Sequence, residues 1–283
     1  MISKDLRIDE VHDTLVNGLR SFFSANGMGK AVVGLSGGLD SAVVASLAVQ
    51  ALGKGNIHGI LMPGEFSTLS SIQDAVDLAD NLDISYNIVP ISSIYNKFMK
   101  ELQPVFGANN KWNVAEENLQ ARIRGTILMA HANKFNALVL NTTNKSELSV
   151  GYGTLYGDLT GAIMVLGDLY KIEVYELARY INRDGEVIPH STITKAPSDE
   201  LHTGQKDSDS LPDYYYLDPL LYALNEEEKS GERLIKEGIE RDTVEKIISL
   251  KAKAAFKLHQ IPPVLNISSR PLPDKSKWVF KKQ

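Results

Sequence analysis

The stretch Gly34-Leu35-Ser36-Gly37-Gly38-Leu39-Asp40-Ser41 holds the residue types needed to grip phosphate. Adjacent glycines allow a tight turn whose backbone can come close to a ligand. Two serines offer hydroxyl donors, and the free amides of the helix that follows form an anion site. Asp40 is the unexpected member, because a carboxylate beside phosphate repels it unless a cation lies between them. Magnesium is commonly held in this way, by one or two carboxylates together with phosphate oxygens. The plainer alternative is a strand-to-helix turn in which Ser36 or Asp40 serves only as a cap.

Three further clusters carry chemistry. In Glu117-Asn118-Leu119-Gln120-Ala121-Arg122-Ile123-Arg124-Gly125, helical spacing puts Asn118 and Arg122 on one face and Leu119, Ile123 and Ile127 on another. The apolar face packs and the polar face is available to a ligand; alone, the arginines would read as solvated or salt-bridged. In Thr142-Thr143-Asn144-Lys145-Ser146-Glu147, Glu147 has two readings: a second magnesium ligand facing Asp40, or a carboxylate favoured by a helix start. The loop Gly151-Tyr152-Gly153-Thr154-Leu155-Tyr156-Gly157-Asp158 is rich in glycine and ends on an acid. It is followed by a strand-like run, Met164 to Leu169, and by Lys171, which in isolation is an ordinary lysine.

The elements that must position these groups alternate. Residues 31–35, 57–62, 84–89 and 137–141 are short, almost continuously apolar runs bounded by Gly, Pro or Asn, as buried parallel strands are. Helical patterns lie near 8–25, 41–52, 68–82 and 114–135, and two more near 218–238 and 241–257. Alternation of this kind predicts an α/β fold, a doubly wound parallel sheet flanked by helices, with ligands at the carboxyl ends of the strands. The 283 residues suit a single domain, 1–283, with a helical carboxyl-terminal portion at 217–260. Residues 198–216 are polar and turn-rich, which fits either a lid or a disordered loop.

An apolar share of 43% with 23% charged residues is that of a globular protein, and a net charge of −5 gives no general attraction to nucleic acid. The basic cluster Lys275, Lys277, Lys281 and Lys282 reads as a solvated tail. No apolar run approaches the ~20 residues of a membrane span, and the charged start, Met1 to Glu10, does not resemble a signal peptide. The absence of cysteine excludes disulfides and thiolate chemistry within these residues, and points to a cytoplasmic setting.

The Ser-Gly-Gly-x-Asp-Ser string resembles the pyrophosphate loop of the N-type ATP pyrophosphatases, which split ATP between its α and β phosphates and leave an adenylate. It has neither the Lys of a Walker loop nor the Gly-x-Gly-x-x-Gly of a dinucleotide fold. With ENLQARIRG, NKSELSVGY, TLYGD, KAPSDEL and DSLPDY in order, the stretch from Gly34 to Pro263 resembles the synthetase domain of the NAD synthetases, closest to that of the glutamine-dependent members. The resemblance implies a Rossmann-like fold of the adenine nucleotide alpha hydrolase type. It also implies ATP-dependent, magnesium-requiring amidation of deamido-NAD to NAD, releasing AMP and pyrophosphate.

By the same resemblance Gly34, Ser36, Gly37, Gly38, Asp40 and Ser41 would hold ATP, joined by Thr142, Lys171 and Ser198. Asp40 and Glu147 would bind the metal, and Asn118, Arg122, Asp158 and Lys257 the dinucleotide. Asp40, Glu147, Asp158 and Lys171 are the expected catalytic set, in a homodimer. In Ala255-Phe256-Lys257-Leu258-His259 only the lysine matches the family pattern. The phosphate loop begins at Gly34 and no cysteine is present, so the expected nitrogen source is free ammonia, or ammonia supplied by a partner. Two other adenylating enzymes, GMP-synthetase-like or tRNA-modifying, and a nucleotide-binding module without turnover are the competing readings.

Overall fold

The computed structural model describes residues 7–107, 111–205 and 211–272. The chain begins with α1 (Ile8–Ala25), then β1 (Ala31–Gly34), α2 (Leu39–Leu52), β2 (Ile57–Leu61), α3 (Leu69–Asn81) and β3 (Ser85–Ile88). It continues through α4 (Ser92–Phe106), α5 (Val114–Phe135), β4 (Leu138–Asn141), α6 (Lys145–Val150), β5 (Ile163–Met164), α7 (Lys171–Ile181) and α8 (His190–Thr194). Helices α9 (Tyr214–Asn225), α10 (Gly231–Lys236) and α11 (Arg241–Ala254) follow.

The five strands lie in the order β3-β2-β1-β4-β5, and every pair is parallel. Because β1 is flanked by β2 on one side and β4 on the other, the loops after β1 and β4 diverge and leave a crevice between them. One face of the sheet packs against α1, α2, α3 and α7 through Leu15, Val43, Leu47, Leu78 and Leu177. The other packs against α4 and α5 through Val32, Ile60, Tyr95 and Ile123. The doubly wound architecture expected from the sequence is therefore the observed one. Helix α2 is buried on nearly all sides, which explains why its sequence is apolar without a clear polar face.

Helices α9 to α11 form a second apolar cluster that includes Tyr170, Leu217, Leu221, Val244 and Ile247. A single helix was expected over 218–238; instead α9 ends at Asn225 and α10 starts afresh, with the Ser230 side chain accepting from the Arg233 amide. Met164 is paired in β5, but Val165 to Leu169 turn away, so the strand-like run is mostly a buried turn. Beyond it, the Met164 amide donates to the Pro263 carbonyl at 2.8 Å, and the Leu265 amide to the Met164 carbonyl at 3.1 Å. The basic cluster at 275–282 and residues 206–210 of the expected lid lie outside the described residues.

Candidate active site

The crevice opens into a cavity of about 710 Å³, within the range of small-molecule sites. Its wall is built from the loops after β1, β2 and β4, the start of α7 and residues 195–205. Gly37 adopts a φ of +78°, which a side chain would oppose, and a Cβ there would lie 2.0 Å from the Ser71 carbonyl oxygen. The turn therefore presses against α3, and its shape is held from inside. The Ser36 and Ser41 hydroxyls are 3.1 Å apart, the Gly38 amide donates to Ser36 Oγ at 3.1 Å, and Ser41 Oγ donates to the Gly38 carbonyl at 3.0 Å. Gly34, Ser36, Gly38, Asp40 and Ser41 line the cavity. Gly37 shapes the turn from behind.

Three ionisable groups meet at the sheet's switch point. The Lys171 ammonium contacts Asp40 Oδ2 and lies 3.9 Å from Glu147 Oε1. A lysine at the first position of a helix is disfavoured by the helix dipole, and burial also lowers its pKa. The two carboxylates outweigh both and raise it above the ordinary lysine value. Asn144 sets the spacing of the acids. Its Nδ2 donates to Asp40 Oδ1 at 3.1 Å, its Oδ1 accepts from the Glu147 amide at 3.0 Å, and its own amide donates to Glu147 Oε2 at 3.1 Å. One Glu147 oxygen completes a capping box, as a helix-start carboxylate does, while the other faces Lys171 in the site.

Among the described residues no cluster of three or more His, Cys, Asp or Glu forms a metal cage. The pair Asp40 and Glu147 suits magnesium, which needs only one or two carboxylates when phosphates supply the remaining oxygens.

The second half of the cavity is organised by Thr154. Its hydroxyl donates to Asn118 Oδ1 at 2.6 Å and its amide to Asp158 Oδ1 at 2.8 Å. Asp158 is open to the cavity yet crowded by its walls. That desolvation pushes its pKa up, against the Thr154 bonds and the attraction of Lys257. The Lys257 ammonium donates to the Gly151 and Gly153 carbonyls at 2.8 and 2.7 Å. Burial lowers its pKa, and nearby Arg122 lowers it further, against Asp158. Gly125 and Gly157 let this loop lie against α5, because a Cβ on either would sit 2.9 Å from the other segment's backbone.

Asn118, Thr142, Asp158, Lys171, Ser198 and Lys257 all line the cavity. Arg122 does not belong to its wall; it is exposed, with Nε donating to the Leu155 carbonyl at 3.2 Å. Arg124 lines the cavity instead, its Nε donating to the Met62 carbonyl at 3.0 Å. The Ser198 hydroxyl donates to the Gln205 carbonyl at 2.7 Å, inside its own turn. Residues 195–205 lie across the cavity, held by Glu200, which accepts from the Thr68 amide, the Thr68 hydroxyl and the Ser71 hydroxyl at 3.1, 2.9 and 2.7 Å at the start of α3. Asn144, Arg124 and Glu200 are the contributors that sequence reasoning passed over. The Asn-x-x-Glu capping signature at 144–147 could have revealed the first.

Known proteins resemble this chain in sequence and in fold. The family model described as NAD synthase matches residues 11–261. A Synechocystis protein named glutamine-dependent NAD(+) synthetase is 47% identical over 262 residues, covering 93% of this chain and 47% of that protein. The chain thus spans about half the length of the curated relatives it matches. Among solved structures, a glutamine-dependent NAD+ synthetase from Acinetobacter baumannii in complex with ADP aligns with a TM-score of 0.66 and 40% identity, over 95% of this chain and 49% of that one. An NH3-dependent NAD synthetase from Campylobacter jejuni aligns at 0.73 with 31% identity, over 92% of this chain and 100% of that one. By the family model over most of its length, and by relatives and solved structures that match it in sequence and fold, the chain belongs to the NAD synthase family.

Proposed function

We propose that the chain is a ligase that converts deamido-NAD to NAD, using ATP and free ammonia. The observation that carries this reading is the meeting of Asp40, Glu147 and Lys171 beside a helix-start phosphate turn, at the switch point of a parallel sheet. A nicotinate carboxylate oxygen attacks the α phosphorus of ATP, and the bond to the bridging oxygen breaks as pyrophosphate leaves. Gly34, Ser36, Gly37, Gly38, Asp40 and Ser41 form the cradle for ATP, and Thr142 and Ser198 border it. Lys171 balances charge as it accumulates on the departing group, so positioning and electrostatics carry the step without a protein nucleophile. Magnesium bound by Asp40 and Glu147 would supply further charge neutralisation.

Ammonia nitrogen then attacks the acyl carbon, AMP departs, and the nitrogen loses a proton. Asp158, with Asn118, Arg122 and Lys257, forms the wall for the dinucleotide, and Asp158 orients its nicotinate end or the ammonia. The second step must exclude water, which would hydrolyse the adenylate; residues 198–216 are the segment that would do so as a lid. These residues hold no cysteine, so they contribute no thiolate for glutamine hydrolysis, and a homologue named as NH3-dependent supports direct use of ammonia. Two copies associate as a dimer, each a single domain, in the cytoplasm. Among the described residues no helix is long and apolar enough to cross a membrane.

The test is purified protein with ATP, magnesium, ammonium and deamido-NAD, monitored for NAD and AMP. Formation of both is expected, with at least about a hundred-fold loss in Asp40→Ala or Glu147→Ala, the scale of a lost transition-state stabiliser. ADP and orthophosphate in place of AMP would overturn the reading, and AMP formation with a different acceptor would redirect it to another adenylating enzyme.

A further inference from the structure

Lys171 is the first residue of α7; Glu173 within the helix accepts from the Tyr170 amide at 3.1 Å, but the next two amides are held from elsewhere in the chain. The Lys171 amide donates to Ser146 Oγ at 2.9 Å, and the Ile172 amide donates to Asp218 Oδ2 at 2.9 Å. Ser146 in turn donates its hydroxyl proton to Asp218 Oδ1 at 2.5 Å. One carboxylate on α9 therefore ties together the helix that carries Glu147 and the helix that carries Lys171. Asp218 and Ser146 are fully buried, so water does not compete for these bonds. One turn earlier on α9, the Tyr214 ring lies 5.6 Å from the Lys171 ammonium, within reach of a cation–π attraction. Asp218 is absent from the cavity wall and cannot touch a substrate there.

We propose that Asp218 is a positioning residue: through Ser146 and the α7 amides it aims the Lys171 ammonium between Asp40 and Glu147. This rests on the function proposed above for its bearing on catalysis, but not for its bearing on the placement of Lys171. Helix starts leave several amides without internal partners. Where the acceptor for such amides comes from a distant helix, the direction of the first side chain depends on that helix. Asn at position 218 keeps the size and one acceptor: with Oδ1 on the Ile172 amide, its NH2 faces Ser146 Oγ, so the Ser146 hydroxyl proton loses its acceptor and the link between the two helices loses its charge.

The experiment has two arms. In the first, native protein, Asp218→Asn and Ser146→Ala are treated briefly with acetic anhydride, and acetylation of each lysine is measured by mass spectrometry. Exposed Lys97 serves as the internal reference. Lys171 is expected to react about ten-fold faster in Asp218→Asn, the scale of one hydrogen bond to a charged group, and faster in Ser146→Ala as well. Circular dichroism checks that each variant is folded, and Ser146→Ala decides the question should Asp218→Asn fail that check. Lys171 reactivity within about two-fold of the native protein, in a folded variant, would overturn the proposal.

In the second arm, AMP formation should show kcat reduced about ten-fold with KM for ATP little changed. Asp218→Asn should add no further loss in a Lys171→Met background, whereas multiplying losses would show that Asp218 acts otherwise. If the native protein releases no AMP, the functional reading fails while the acetylation arm still decides the positioning role.

Discussion

Replacing Gly37 by Ala tests whether the phosphate turn owes its shape to contact with α3. The backbone there has φ +78°, which costs a residue with a side chain about 1–2 kcal/mol. The new Cβ would also lie 2.0 Å from the Ser71 carbonyl oxygen and 2.8 Å from its carbon. A Cβ essentially never comes within 3.0 Å of such an atom, so the turn and α3 must separate by about 1 Å. A shift of ~1 Å in a positioning element is enough to cost about a hundred-fold in rate. We therefore expect Gly37→Ala to lose about 2 kcal/mol of stability in urea unfolding, and to slow ATP-dependent AMP formation about a hundred-fold.

Two internal standards calibrate the result. A Cβ at Gly29 meets nothing within 4 Å, so Gly29→Ala should stay within about 0.5 kcal/mol of the native protein. Gly38, with φ −86° and only Ser36 Oγ at 3.1 Å, should fall between them. Were Gly37→Ala to bind ATP and release AMP within about three-fold of the native rate, the idea of a turn braced by α3 would be wrong.

Loss of the Glu200 anchor should free the segment over the cavity. In Glu200→Ala, amide hydrogen exchange across 199–203 should quicken about thirty-fold, the equivalent of about 2 kcal/mol of charged hydrogen bonding; unchanged exchange would mean that other contacts hold it. Lys145 is fully buried, with Asp168 at 2.8 Å and Glu226 at 2.5 Å. Lys145→Met leaves both acids without their cation and should destabilise the fold by about 3–5 kcal/mol in urea or thermal melts. Burial pushes the Asp218 pKa up to about 7, with Glu173 adding to the rise and Ser146, Ile172 and Lys171 opposing it. The folded state then binds a proton that the unfolded chain releases near 4. Stability from this group should accordingly decline as pH rises from about 4 to 7, by at most about 1.4 kcal/mol per unit, and Asp218→Asn should flatten that slope.

Much of the fold was legible because β1, β2 and β4 are largely buried, so the apolar runs at 31–35, 57–62 and 137–141 stood out within a residue or two of the observed strands. The run at 84–89 matched the edge strand β3 although that strand is mostly exposed. Helix α5 matched at both ends, since Asn113 and Glu116 form a capping box and Asn136 takes the left-handed conformation after the last turn. Helix α4 was missed: of its residues only Tyr95 is buried, and Pro104 interrupts its pattern. Helix α7 was missed for a different reason, because a lysine and an acid open it and the amides of its first two residues are capped from distant segments. At the site, local strings located Asp40, Glu147, Asp158 and Lys171, whereas the link from Asn144 to Asp40 spans 104 residues and that from Asp218 to Ser146 spans 72. Spacing along the chain carries no trace of such pairs.

The Lys145 ammonium also donates to Ser268 Oγ at 3.1 Å and to the Arg270 carbonyl at 3.0 Å, while Asp168 accepts from the Ile267 and Ser268 amides. This gives the centre a place in the timetable of synthesis. On a ribosome, the segment holding Lys145 emerges more than a hundred residues before the one that completes its coordination. Until then the Lys145 ammonium, two residues from Glu147, and the Asp168 carboxylate lack the partners that Ile267, Ser268 and Arg270 supply, so the packing behind Glu147 is completed only once that later segment has been made.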